Sequence, residues 1–232
     1  MEDTYKSDHL LGKRSQKDWT KEDLEEFAVS TTTRHGITIP VNVEIEADQK
    51  IIDFTSMNQI IKKASKIAIV DCVCRTTLEN CDAPKDVCLT FDDLADKTVE
   101  AGNRNPRYVS YEEAIDSVKR AQEAGLVHMA YTKKDDSYPK SVCGCCTCCC
   151  GILSAAMRFG VNLPISLVTS DKIASHDADL CIGCGVCVDR CQFDARELVG
   201  GKVVCYADRC FGCSNCTTTC PVQANTMINR IN

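Results

Sequence analysis

Apolar positions are sparse over the first 50 residues and become periodic only after Phe54. Within that polar stretch, Thr20-Lys-Glu-Asp-Leu-Glu-Glu-Phe27 predicts one short helix capped by Thr20. Phe54 to Lys66 has helical spacing, with Ile60, Ile61 and Ala64 on one side. Lys66-Ile-Ala-Ile-Val-Asp71 is a short unbroken apolar run, as in a buried strand, and it delivers Cys72 and Cys74 at its end. Asn103 to Tyr108 reads as a turn-rich connector. Ser110-Tyr-Glu-Glu113 is a capping box opening a helix through Ala124, with Gly125 suited to stop it. Leu126 to Tyr131 predicts another short strand, and a polar stretch from Thr132 to Lys140 follows. Gly151 to Phe159 predicts a helix closed by Gly160. The pattern is that of an α+β protein with a cysteine-rich α/β front half and a small C-terminal part. The boundary falls near 165 to 175.

Composition sharpens this picture. The chain has 232 residues, and its 44% hydrophobic share includes 19 cysteines. Without them the apolar residues are few for this length, so something besides apolar burial is expected to hold part of the chain together. Met1 to Trp19 carries Glu2, Asp3, Lys6, Asp8, Lys13, Arg14, Lys17 and Asp18 and no apolar run. One long stretch without charge, Ser141 to Met157, holds six cysteines and is too short for a membrane span. The expectation is a reduced, cytoplasmic protein with no transmembrane segment, whose cysteines are metal ligands more than disulfides. A net charge of −6 argues against nucleic acid as a partner.

The cysteines come in three groups: four at 72 to 88, six at 143 to 150 and nine at 181 to 220. In the last group Cys181, Cys184 and Cys187 are spaced by two residues and Cys191 follows after three. Cys210, Cys213, Cys216 and Cys220 repeat the pattern, with Pro221 next. This doubled C-x₂-C-x₂-C-x₃-C run resembles the bacterial two-cluster ferredoxins. That resemblance implies two 4Fe-4S clusters with crossed ligation, because the fourth cysteine of each run serves the other cube. Cys181, Cys184, Cys187 and Cys220 would hold one cluster, and Cys210, Cys213, Cys216 and Cys191 the other. Gly183, Gly185 and Gly212 sit between ligands, where backbone amides must approach cluster sulfur. Two structural zinc sites are the competing reading of the C-x₂-C pairs. The chain departs from the ferredoxin pattern at Gln192, where that family usually has proline. Cys205 is an extra cysteine, expected as a buried thiol facing the small core.

The front half carries Cys72, Cys74, Cys81 and Cys88, then Cys143, Cys145, Cys146, Cys148, Cys149 and Cys150. With Cys72-Val-Cys-Arg75 and Gly125-Leu-Val-His128, these resemble the front half of a widespread group of anaerobe 4Fe-4S proteins. The resemblance implies one or two further clusters, with the pairing of the ten thiols open; zinc, or free redox thiols and disulfides, stand as alternatives. Adjacent cysteines point in different directions, so Cys148, Cys149 and Cys150 are not expected to serve one cube together. Arg75 and Lys140 either offset thiolate charge or are solvated. His128 is expected in the core more than as a ligand or proton donor.

These readings divide the chain into a polar arm (1–50), a cysteine-rich domain with one or two Fe-S sites (51–170) and a two-cluster ferredoxin domain (171–232). The function they imply is electron transfer, as the wire subunit of a larger anaerobic oxidoreductase that meets redox protein partners. Two alternatives are a thiol or disulfide redox catalyst at the 143–150 knot, where Cys149-Cys-Gly151 resembles an element of heterodisulfide-reductase-type subunits, and a redox sensor. No phosphate-binding glycine loop, dinucleotide fingerprint or nucleophile elbow occurs, so nucleotide and flavin sites have no support.

Overall fold

The structure, a computed structural model, describes residues 34–39 (as backbone), 57–133, 138–159, 167–168 and 170–230. The Thr20 helix and Gly160 lie outside the described residues. The front half runs β1 (Arg34–Ile39), α1 (Met57–Lys63), β2 (Ile67–Val70), α2 (Val73–Leu78), β3 (Cys88–Phe91), α3 (Asp92–Ala101), β4 (Arg107–Tyr108), α4 (Tyr111–Glu123), β5 (Val127–Lys133), β6 (Ser141–Cys145), α5 (Gly151–Phe159) and β7 (Leu167–Val168). Its strands form one seven-stranded sheet in the order β4-β2-β3-β6-β5-β1-β7, antiparallel except for the β1–β7 pair. The fold is α+β.

Strand alternation sorts the side chains onto two faces. On one face Ile67, Ile69, Leu89, Phe91, Ala130 and Val142 pack against Met57, Ile60 and Ile61 of α1 and Ala114 and Val118 of α4. The other face presents Val70, Cys88, Cys143 and Cys145 beside Val127 and Met129. The same alternation decides His128. It is 2% exposed and points away from Val127 and Met129, and burial lowers its pKa to about 4, so it is a neutral core residue.

The capping box at Ser110 is present in full: its hydroxyl accepts from the Glu113 N–H at 3.2 Å, and the Glu113 carboxylate accepts from the Ser110 N–H at 3.1 Å. One expectation needs correction, and one strand stands where none was expected. The connector at Asn103 to Tyr108 ends in a strand, because Arg107 and Tyr108 pair with Ile69 and Ala68. The cysteine knot opens as a strand too, since Cys143 and Cys145 lie in β6, between β3 and β5.

The C-terminal part contains β8 (Lys172–His176), α6 (Val186–Asp189), β9 (Arg196–Val199), β10 (Lys202–Cys205), a 3₁₀ turn (Ala207–Arg209), α7 (Asn215–Thr218) and β11 (Asn225–Asn229). β8 pairs with β11 and β9 with β10, both antiparallel. The repeat in the cysteine spacing is a repeat in the backbone. Each short helix follows a left-handed residue, Gly185 at φ 77° or Ser214 at φ 66°, and carries the third cysteine of its run. Gly183 and Gly212 are obligatory at their positions. Both have positive φ, and a Cβ on either would stand 2.1 Å from a backbone carbonyl oxygen, of Gly201 or Lys172.

Polar clamps fasten this part to the front half. The Asn215 amide donates to the carbonyls of Gly125 at 2.9 Å and Leu126 at 3.3 Å. Gln192 accepts from the Thr147 N–H, inside the knot, at 2.8 Å, and its amide nitrogen donates to the Gly125 carbonyl. A proline at position 192 has no side-chain amide, so the departure from the ferredoxin pattern makes this clamp possible.

Candidate metal centres

The eight C-terminal cysteines of the doubled run line two separate cavities. Cys181, Cys184, Cys187 and Cys220 line one, and Cys191, Cys210, Cys213 and Cys216 line the other. Each set draws three thiols from one run and the fourth from the other. Backbone amides already point at sulfur here: Gly183 N–H donates to Cys181 Sγ at 3.4 Å and Ala224 N–H to Cys220 Sγ at 3.2 Å. Such contacts stabilise thiolate charge and raise a cluster's reduction potential. Burial pushes Cys213 up and Cys216 up to about 12, so a set of this kind is held by protons or by metal and not as bare thiolates. A donor set of four convergent thiols with amides at hand fits a 4Fe-4S group.

Cys205 is corrected by the structure. It ends β10 and is exposed, where a buried position was expected. Val203 fills the core two residues earlier, but the hairpin finishes at Cys205, which stands at the rim of the second cavity. Arg196 was not anticipated at all. It is buried, donates to Cys187 Sγ at 3.9 Å and to Asn225 Oδ1 at 2.7 Å, and so places a cation next to the first set. Burial opposes its charge, but Cys216, Cys205 and Cys187 outweigh that and raise its pKa.

The ten front-half thiols divide six and four. Cys72 interacts with Cys74 and Cys88, Cys88 with Cys143, Cys143 with Cys145, Cys145 with Cys150, and Cys150 with Cys74. The six close a ring. Its members come from the sheet face (Cys88, Cys143, Cys145), the start of α2 (Cys72, Cys74) and the residue before α5 (Cys150). The ring's hydrogen bonds hold Cys143 down at about 6, while the thiol protons of Cys88 and Cys145 are held well above the ordinary range. Cys81, Cys146, Cys148 and Cys149 form the second group, with all four sulfurs within 4.8 Å of one another. The knot is therefore shared: Cys148 and Cys149 face one group, and Cys150 faces the other.

Arg75 stands between these groups, fully buried. Its guanidinium donates to Cys146 Sγ at 3.5 Å, twice to the Pro84 carbonyl at 2.8 and 3.0 Å, and to the Gly144 carbonyl at 3.1 Å. Burial opposes its charge, yet Cys72, Cys146 and Cys88 raise its pKa on balance. Lys140 instead reaches Asp93 at 3.0 Å. The front-half ring also meets the C-terminal part. Cys145 and Cys150 share one apolar cluster with Phe193, Phe211 and Cys213, and Cys191 and Cys210 pack against it. Phe193 and Phe211 stack with ring centroids 4.5 Å apart.

Two four-thiol cavities on a repeated backbone, with ten front-half thiols beside them, are donor sets that fit iron–sulfur chemistry. The family comparison agrees for one segment: a model of the 4Fe-4S binding domain matches residues 174–197, which contain Cys181, Cys184, Cys187 and Cys191. The chain therefore has a 4Fe-4S binding domain and, with it, iron–sulfur electron-transfer capacity. Neither the curated proteins nor the solved structures provide a match to this chain. No helix among the described residues is long and apolar enough to cross a membrane.

Proposed function

We propose that this protein is an electron wire. Two 4Fe-4S clusters sit in residues 171–232, on the crossed sets Cys181, Cys184, Cys187, Cys220 and Cys210, Cys213, Cys216, Cys191. A further iron–sulfur cluster occupies the six-thiol ring of the 51–170 domain. The observation that carries this reading is the apolar cluster that joins ring cysteines Cys145 and Cys150 to Cys213, Cys191 and Cys210. It puts the ring beside the second ferredoxin-like set, and the first set lies beyond, across Arg196. Bound clusters supply one-electron chemistry. The chain's own residues hold them, aim N–H groups at their sulfurs and shield them from water.

The outer end of the wire has the surface of a docking site. Cys184 is exposed, and around it Leu180, Ile182, Val186 and Leu198 are exposed apolar residues. A redox protein with an apolar contact and a basic rim fits this face, because four thiolates make each oxidised cube about −2. The wire reading places the protein as a subunit of a larger cytoplasmic oxidoreductase of an anaerobe. At the knot, Cys149 and Cys150 are both buried and face different thiol groups, which does not favour disulfide chemistry there.

Iron and acid-labile sulfide per chain, measured on anaerobically purified protein with EPR of the reduced sample, test the reading. About twelve iron with matching sulfide supports it, and Cys88→Ser then removes only the ring's share. About eight iron with Cys88→Ser unchanged confines electron transfer to residues 171–232 and refutes the extended wire.

A further inference from the structure

The second front-half group has the dimensions of a single ion, not of a cube. Cys81 Sγ lies 3.7 Å from Cys146 Sγ, Cys148 Sγ lies 3.8 Å from Cys149 Sγ, and all four sulfurs fall within 4.8 Å of one another. Around one tetrahedral ion with metal–sulfur bonds of about 2.3 Å, neighbouring thiolates stand roughly 3.8 Å apart, since a tetrahedron's edge is about 1.63 times its centre-to-corner length. A cube interposes an iron between its centre and every thiolate, so its four cysteines stand much further apart. The same molecule supplies the contrast. Among the described residues no other set of three or more Cys, His, Asp or Glu side chains closes to 4.8 Å, and that includes the eight cysteines with cube spacing.

We propose that Cys81, Cys146, Cys148 and Cys149 form a closed tetrathiolate site for one divalent ion of thiolate preference, Zn²⁺ or Fe²⁺, without sulfide. Four protein ligands leave no open coordination position, so the site is structural. Binding releases the thiol protons and leaves an ion with four thiolates at net −2. Arg75, donating to Cys146 Sγ at 3.5 Å, offsets one of those charges from inside the fold. The ion ties the loop after α2 to the knot some 65 residues later in sequence, and Asn80 already holds the same two segments together by donating to the Cys148 carbonyl at 2.8 Å. It supplies cohesion where the apolar core is thin.

The test is metal and sulfide stoichiometry on the full chain, purified anaerobically, for wild type and Cys148→Ser, with X-ray absorption at the zinc and iron edges of wild type. Cys148→Ser is expected to lose about one zinc, or about one iron and no sulfide, while the remaining iron and sulfide stay; whichever metal goes identifies the ion. Four sulfurs at about 2.3 Å around zinc, with no metal neighbour, is the matching wild-type spectrum. Loss of about four irons with equal sulfide from Cys148→Ser overturns the proposal. Should that variant not fold, wild type still decides: iron equal to sulfide with no zinc overturns it, and one zinc or one surplus iron supports it. Zinc content and the iron–sulfide count fail independently, so a failed wire and a failed tetrathiolate site are distinguishable.

Discussion

Replacing Arg75 with methionine tests how far these thiol groups depend on a buried cation. The guanidinium makes four hydrogen bonds, two to the Pro84 carbonyl, one to the Gly144 carbonyl and one to Cys146 Sγ, from a position with no solvent exposure. Removing it leaves one buried and one half-buried carbonyl oxygen short of donors and one thiol group without its nearest cation. Breaking a buried, hydrogen-bonded charge by deleting one partner costs about 3–5 kcal/mol. For a chain of this length that is a fall in Tm of roughly 6–20 °C, at about 2–4 °C per kcal/mol. Arg75→Lys keeps the charge but loses the fork, so it is expected between wild type and Arg75→Met. The assay is anaerobic thermal unfolding by circular dichroism, with metal and sulfide counted on each sample. On the wire reading, a folded, metal-replete Arg75→Met protein has a front-half cluster that is harder to reduce, because a cation that favours the reduced state has gone. An Arg75→Met protein within about 3 °C of wild type, with full metal and an unshifted potential, refutes the reasoning.

Four further outcomes are expected. Gln192→Pro deletes the clamp to Thr147 and Gly125; the Gly125 carbonyl keeps Asn215, but the Thr147 N–H loses its acceptor, at up to about 1–3 kcal/mol, so limited proteolysis should separate the halves sooner, with C-terminal iron retained. Unchanged protease sensitivity would dismiss the clamp. Gly212→Ala forces a Cβ to 2.1 Å from the Lys172 carbonyl oxygen at φ +77°; the left-handed backbone alone costs about 1–2 kcal/mol before the clash, so iron should fall by about four. Cys205 is exposed and outside every four-thiol set, so iodoacetamide should label it first in metal-replete protein and Cys205→Ser should keep full iron; early labelling elsewhere counts against this placement. His128 has a folded pKa lowered from 6.5 to about 4. As pH falls through that window the unfolded chain binds a proton that the folded chain does not, so about 3 kcal/mol of stability is lost, visible as the difference between wild type and His128→Met. A difference that is flat from pH 7 to 4 would rule it out.

The sequence shows elements wherever a single periodicity or cap carries the signal. The helix Tyr111–Glu123 follows from its capping box and the strand Ile67–Val70 from an unbroken apolar run. β6 escaped notice because cysteine is a poor marker of periodicity: Val142 and Gly144 face the helices while Cys143 and Cys145 face the ring, an alternation hidden inside a crowd of thiols. Spacing could divide the C-terminal cysteines because those ligands are local and repeated. It could not divide the front-half ten, because each group draws on segments separated by about seventy residues, brought together by long-range contacts such as the pairing of β3 with β6. Arg75 was visible as a candidate through its place in Cys72-Val-Cys-Arg75. Arg196 was not, since an arginine five residues after Cys191 has no spacing that marks it.

Those two arginines share a structural role. Arg196 touches Cys187 of the first C-terminal set and feels Cys216 of the second. Arg75 touches Cys146 of the four-thiol group and feels Cys72 and Cys88 of the ring. Each is buried at a boundary between two thiol groups, and each is anchored by neutral acceptors: Asn225 for Arg196, Pro84 and Gly144 for Arg75. Centres of like charge packed this closely repel one another in a low-dielectric interior, by more than the same charges would in water. On the wire reading, a fixed guanidinium beside both groups lowers that repulsion without carrying a ligand role. The third boundary, between the ring and the second C-terminal set, has no such cation among the contacts described. It is filled by Phe193 and Phe211, with Leu153 and Met129 in the same cluster. A cation therefore stands at each of the outer two junctions, and the middle junction is apolar. On the wire reading, electrons cross from the ferredoxin domain to the front half at that middle junction.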